Sequence, residues 1–153
     1  MNEKYSLKFF TEYYQFYLSD KDSKASTGSD NFWTLQASTD KMAVEEGLLG
    51  ITVGKYAEID VEVNVLASQN NQRSFDEYEH IVEASIEIPS GILQIKNCTG
   101  FEIELELNLT PRAYAVRSYS AKLSSIQGDV GDDFYVLEIW ASEKIERKVL
   151  KQF

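Results

Sequence analysis

From Phe101 to Leu109 the chain reads Phe-Glu-Ile-Glu-Leu-Glu-Leu-Asn-Leu, and from Ile59 to Val65 it reads Ile-Asp-Val-Glu-Val-Asn-Val. Strict alternation has a period of two, which is the period of a β-strand with one apolar and one solvated side. A helix cannot gather either set on one face. A third, looser run places Glu79, Glu83 and Glu87 along residues 78–88. These three segments fix the chain as a β protein before any other residue is considered.

The rest of the sequence extends that reading. Residues 5–19 are dense in aromatics (Phe9, Phe10, Tyr13, Tyr14, Phe16, Tyr17) and read as one long strand. Residues 20–31 are small and polar, a loop. Residues 32–44 are the one helical candidate, with Asp30 or Asn31 as its cap and Gly47 beyond its end. Short strand candidates follow at 48–53, 58–66, 78–88, 92–96, 101–109, 112–120 and 134–141, with turn signals such as Pro89-Ser90-Gly91 between them. The tail from Glu143 reads as an edge strand or a frayed helix. The sum is an all-β fold, an antiparallel β-sandwich of about eight to nine strands with one short helix, in a single domain covering 1–153. Its inter-sheet core should include Ile59, Val61, Val63, Val65, Phe101, Ile103, Leu105 and Leu107.

Charge narrows the function. Residues 56–110 hold eleven acidic and two basic side chains, a net of −9 against −10 for the whole chain. With a pI near 4.6, the chain lacks the clustered Lys and Arg that direct nucleic-acid binding needs. The same sign disfavours an anionic membrane surface. No stretch reaches the length of a membrane-spanning helix, and residues 1–8 lack the apolar centre of a secretory signal. One cysteine, Cys98, rules out an internal disulfide. A cytoplasmic, reducing compartment is therefore expected. There the two Asn-X-Thr tripeptides, Asn97-Cys98-Thr99 and Asn108-Leu109-Thr110, would stay unmodified.

Catalytic parts are few. His80 is the only histidine and shares strand parity with Tyr78, Val82 and Ala84, so it reads as a packed side chain rather than a base. Cys98 has no activating neighbour in sequence and reads as an inert thiol. Zinc lacks His and Cys ligands, and neither Asp20-Lys21-Asp22 nor residues 129–133 match a calcium loop. Carboxylates alternating along a strand lie about 7 Å apart and point in parallel, so they converge poorly on one ion. A glycosidase pair would need one carboxyl kept protonated, and an open acidic face gives no reason for that. No metal, no cofactor and no enzymatic activity are expected.

A solvated sheet face explains polarity but not its sign, because Lys and Thr suit outward strand positions equally well. A basic protein partner explains both. Candidate contacts are Glu58, Asp60, Glu62, Glu102, Glu104 and Glu106, then Glu79, Glu83 and Glu87, with Tyr56 or Tyr78 as aromatic anchors. The alternative is a non-catalytic ligand-binding module for a sugar, a peptide or a divalent ion.

The segment Tyr13-Tyr14-Gln15-Phe16-Tyr17-Leu18-Ser19-Asp20, followed by Phe32-Trp33-Thr34 and by Ala43-Val44-Glu45-Glu46-Gly47-Leu48-Leu49-Gly50-Ile51, resembles the competence protein J family. That family includes the DNA-entry nuclease inhibitor and many bacterial relatives. Its pattern is an aromatic strand, an Asp soon after, and a Trp-Thr opening a short helical stretch. Tyr14 stands where the family often has His. The resemblance implies a small intracellular β protein that binds a nuclease or toxin and neutralises it. It also implies structural roles for Tyr14, Gln15, Phe16, Tyr17, Asp20 and Trp33, as core or strand-hinge residues.

Overall fold

The computed structural model describes residues 2–28, 30–98 and 102–153. Among them are eleven strands: β1 Glu3–Phe10, β2 Gln15–Asp20, β3 Met42–Glu45, β4 Leu48–Thr52, β5 Glu58–Leu66, β6 Tyr78–Ile88, β7 Ile92–Asn97, β8 Ile103–Asn108, β9 Arg112–Ala121, β10 Phe134–Ala141 and β11 Lys148–Lys151. They form a six-stranded sheet in the order β1-β5-β10-β9-β6-β11 and a five-stranded sheet in the order β3-β4-β2-β7-β8. The fold is thus all-β and two-layered, as expected, with more strands than the eight or nine read from sequence. Nor is it wholly antiparallel, because β5 runs parallel to β10.

The expected long strand at 5–19 is two strands in different sheets. β1 pairs with β5 as far as Phe10 opposite Glu58, and β2 starts against β4 with Gln15 opposite Thr52. Between them Tyr13 and Tyr14 take positive φ of 57° and 61°. The helix is α1 (Leu35–Asp40), far shorter than 32–44. Thr34 caps it by accepting from the Ala37 N–H at 3.1 Å, and Lys41 ends it in the left-handed region. Met42 to Glu45 then pair with β4, and Gly47, at φ 66°, turns that hairpin rather than closing a helix.

The core lies between the sheets. Ile59, Val61 and Val63 of β5 meet Phe16, Leu18, Leu49, Ile51, Leu93 and Ile95 of the facing sheet, with Val65 and Leu105 half-buried and Leu107 buried. Ile103 departs from the expectation and is 50% exposed. A bulge explains it: Leu105 pairs with Ile95 but Ile103 pairs with Lys96, so one extra residue turns Ile103 to the outer side. Phe101 lies outside the described residues. Both outer faces carry a smaller apolar cluster of their own. On the five-stranded sheet Phe32 and Trp33 lie over Gly50, where a Cβ would come within 2.6 Å of the Trp33 ring. On the six-stranded sheet Tyr78, Ile81, Tyr119 and Val136 pack under Phe75.

Candidate partner-binding surface

The three acidic runs do not share one face. β5 and β6 belong to the six-stranded sheet and β8 to the edge of the other, so their outward carboxylates leave opposite layers of the sandwich. The β5 acids are also largely neutralised within the chain. Lys8 Nζ lies 2.9 Å from Asp60 and 3.9 Å from Glu58, and Lys4 Nζ lies 3.0 Å from Glu62. Both lysines come from β1, the neighbouring strand. Burial pushes the Glu62 carboxyl up, but Asn64, Lys4 and Arg73 outweigh it and hold the group below its ordinary range.

On β6, Glu83 is paired with Arg117 at 2.7 Å. Glu79 accepts from the Ser124 hydroxyl and from the Ser124 N–H, and these bonds lower its pKa. Glu87 is exposed with no basic partner among the described residues. It borders a concavity of about 690 Å³ together with Asp22, Lys24, Glu45 and Glu46. On β8, Glu106 accepts from the Gln94 amide at 2.8 Å. Glu102 is exposed, and Glu104 is pushed above its ordinary pKa by burial and by the neighbouring Glu102 charge. The β8 edge therefore holds negative charge that the described residues do not balance.

Sequence reasoning missed the most organised charges in the molecule. Lys4, Asn64, Glu138, Arg117, Glu83 and Lys148 stand opposite one another on successive strands, a single row crossing all six strands of one sheet. Residues 67–77 close over its middle. Glu138 is fully buried; it accepts from Arg73 Nε at 3.1 Å, from the Asn70 amide at 2.9 Å and from the Tyr119 hydroxyl. Burial, with Glu138 beside it, pushes the Tyr119 phenol up to about 12. Arg117 stacks 5.3 Å from the Trp140 ring, and Arg73 also donates to the Tyr78 hydroxyl at 3.0 Å. A bulge at the start of β6 turns Tyr78 to this covered side, so it is buried and cannot be an exposed anchor. The available signal was parity: Arg117 and Glu138 are lone charges among apolar residues on the same side of two apolar strands.

The family-pattern residues divide. Phe16, Tyr17 and Asp20 are buried, and Gln15 and Trp33 are half-buried. Asp20 pins the end of β2 to the 89–91 turn, accepting from the Ser90 N–H at 3.1 Å, the Ser90 hydroxyl at 2.5 Å and the Asp22 N–H at 3.1 Å. Tyr14 is the exception and is 48% exposed. It is a hinge residue, not a core one. Left-handed backbone costs a residue with a Cβ roughly 1–2 kcal/mol, and Tyr13 and Tyr14 meet that cost in succession. The strain is held in place because Thr11 donates to the Lys55 and Ala57 carbonyls, and Val53 N–H donates to the Tyr14 carbonyl at 2.9 Å.

His80 is buried with both ring nitrogens engaged. Nε2–H donates to the Asp40 carbonyl at 2.6 Å, and Nδ1 accepts from the Phe153 N–H at 3.2 Å. Burial is the main cause of its lowered pKa. It is a neutral pin between α1 and the C-terminus. Cys98 is half-buried beside the Tyr17 hydroxyl, and burial raises its pKa away from the reactive thiolate. Among the described residues no three His, Cys, Asp or Glu side chains are placed to share a metal ion. No described helix is long and apolar enough to cross a membrane.

These features define a two-sheet β protein with paired charges inside its outer layer and, among the described residues, acids without basic partners at one edge. In fold it is similar to ComJ of Bacillus subtilis, described as an inhibitor of the DNA-degrading activity of NucA, with a TM-score of 0.72 and 16% identity over 93% of this chain and 99% of that one. It is also similar to the crocagin biosynthetic gene J product, with a TM-score of 0.59 and 14% identity over 94% and 99%. No protein-family model and no curated protein matches the sequence.

Proposed function

We propose that this chain is a non-catalytic inhibitor or immunity protein that binds a basic, nuclease-type partner inside the cell. The observation that carries the reading is the likeness to ComJ over nearly the whole of both chains. The charge distribution supports it. A nuclease cleft is electropositive because it holds phosphates, and carboxylates without internal partners are the ones free to enter it. Glu102, Glu104 and Glu87 fit that description best, with Glu106 beside them. Glu58, Asp60, Glu62, Glu79 and Glu83 would have to share or exchange their present partners, which makes them secondary contacts.

The test is DNA degradation by NucA and by basic nucleases of the host cell, with increasing amounts of the chain. Near-stoichiometric loss of one nuclease's activity is expected, weakening as salt is raised because exposed charges are screened. Changing Glu102, Glu104 and Glu106 together to Gln should slow association severalfold and shift the melting temperature by no more than about 2 °C. Undiminished degradation by every such nuclease at excess chain would sink the proposal. The ligand-module alternative draws on the 690 Å³ concavity beside Glu87. A melting temperature raised by calcium or an oligosaccharide would favour it.

A further inference from the structure

Phe10, Tyr13 and Tyr14 are 49%, 63% and 48% exposed, and all three rings meet the same ring, Tyr56, at centroid distances of 5.5, 5.9 and 6.0 Å. The contacts are edge-to-face, and about half of each of the three outer side chains stays open to solvent. Four aromatics gathered at one end of a sandwich bury little against the core, so packing does not account for them. Nor does the backbone, because two successive positions with positive φ ordinarily take Asn, Asp or Gly. Tyr at both is the costlier choice for folding. Strain of this kind persists at sites that present a side chain. The hydrogen bonds from Thr11 and Val53 tie the backbone on both sides of the two tyrosines. Tyr, with Trp and Arg, is enriched at the energetic centres of protein interfaces.

The surroundings select the partner. Asp129 accepts from the Tyr56 N–H at 3.0 Å, and Glu58, shared with Lys8 at 3.9 Å, stands opposite Phe10 in the β1–β5 ladder. Glu12 lies within the cluster's loop, and its charge adds to the desolvation that raises the Tyr56 phenol. Lys55, the nearest lysine in sequence, is buried against Asp133 at 3.0 Å and does not reach the patch. Aromatic faces rimmed by carboxylates match a guanidinium, which stacks on the ring while its edge donates to the acids.

We propose that the Phe10–Tyr13–Tyr14–Tyr56 patch is the anchor on which this protein docks an arginine-bearing segment of a basic protein partner. The proposal rests on the inhibitor reading and adds to it an anchor that is aromatic. The probe is a peptide of four Arg-Gly repeats with its citrulline-Gly counterpart, titrated into the full chain and followed by NMR. Ring resonances of Tyr13, Tyr14 and Tyr56 are expected to move with the arginine peptide and not with the citrulline one. The paired change Tyr13→Gly and Tyr14→Gly removes two rings and relieves the positive-φ strain, so the melting temperature should hold or rise while affinity falls at least tenfold. Affinity within twofold of the parent, or shifts spread over Asp60, Glu62 and the β8 carboxylates, overturns the proposal. Should the Gly variant inhibit a nuclease as tightly as the parent does, the anchor is wrong and the inhibitor reading stands. Should the peptide bind as expected while no nuclease is inhibited, the inhibitor reading fails and the arginine site stands.

Discussion

β5 and β8 carry nearly the same alternating sequence, and the structure uses them in opposite ways. β5 lies between two strands, its apolar row sealed in the core and its acids answered by Lys4, Lys8 and Arg73. β8 is an edge strand with a bulge, one apolar residue turned to solvent and acids that lack basic partners among the described residues. Alternation specifies a strand; neighbours decide what its charges mean. At a sheet edge, charge and bulge together also discourage pairing with other chains, so the β8 acids protect the protein whether or not they meet a partner.

The contrast can be broken first through the apolar rows. Ile59→Ala should cost about 3 kcal/mol, because it empties a fully packed site. Ile103→Ala should stay within about 0.5 kcal/mol, as surface changes do. Urea denaturation of both variants checks this, and equal losses would show that β8 is docked as firmly as β5. Next is Arg73→Ala, which removes the cation shared by Glu62 and Glu138. A buried acid left without its partner costs about 3 kcal/mol, moderated here by Asn70 and Tyr119, so a loss of about 2 kcal/mol is expected. The thermal midpoint should drop by roughly 4–8 °C for a chain of this size.

The smallest effect is in titration, and it runs in opposite directions. Glu62 titrates below its ordinary 4.5 and Glu104 above it. The Glu62 contribution to stability is present above pH 4.5 and is lost as pH falls through its lowered folded value. Glu104 contributes stability below pH 4.5 that is lost as pH rises through its raised folded value. Carboxyl NMR titration should separate the two midpoints. Glu104→Gln should then raise the melting temperature at neutral pH by about 1 °C, the scale of an exposed charge effect. Coincident midpoints would erase the difference between the two strands.

Strands whose neighbours agree with their pattern were legible. Residues 58–66, 78–88 and 134–141 read from sequence coincide with β5, β6 and β10. What alternation cannot carry is a change of phase. Each bulge inserts one residue and inverts the parity beyond it, which is why Tyr78 is buried on the outer side and Ile103 is exposed. Tyr13 and Tyr14 hid the break in residues 5–19, because aromatic side chains favour strands and give no warning of positive φ. The acids of the candidate site were visible, but their internal partners were not. Lys4 and Lys8 meet them from β1, fifty residues away in sequence, and Glu138 and Arg117 looked like ordinary strand positions.

The parallel pairing of β5 with β10 governs the order in which this protein can be completed. β5 is finished by residue 66, yet the strand that joins it to β9 ends at residue 141. Without β10 the antiparallel pairs β1–β5 and β6–β9 are two half-sheets, each with an open inner strand. They can close only when the last fifth of the chain emerges from the ribosome. Closure across so long a separation in sequence is slow. A chain cut short before β10 leaves open the edges of β5 and β9 that β10 pairs with, and the β10 of another copy can fill them.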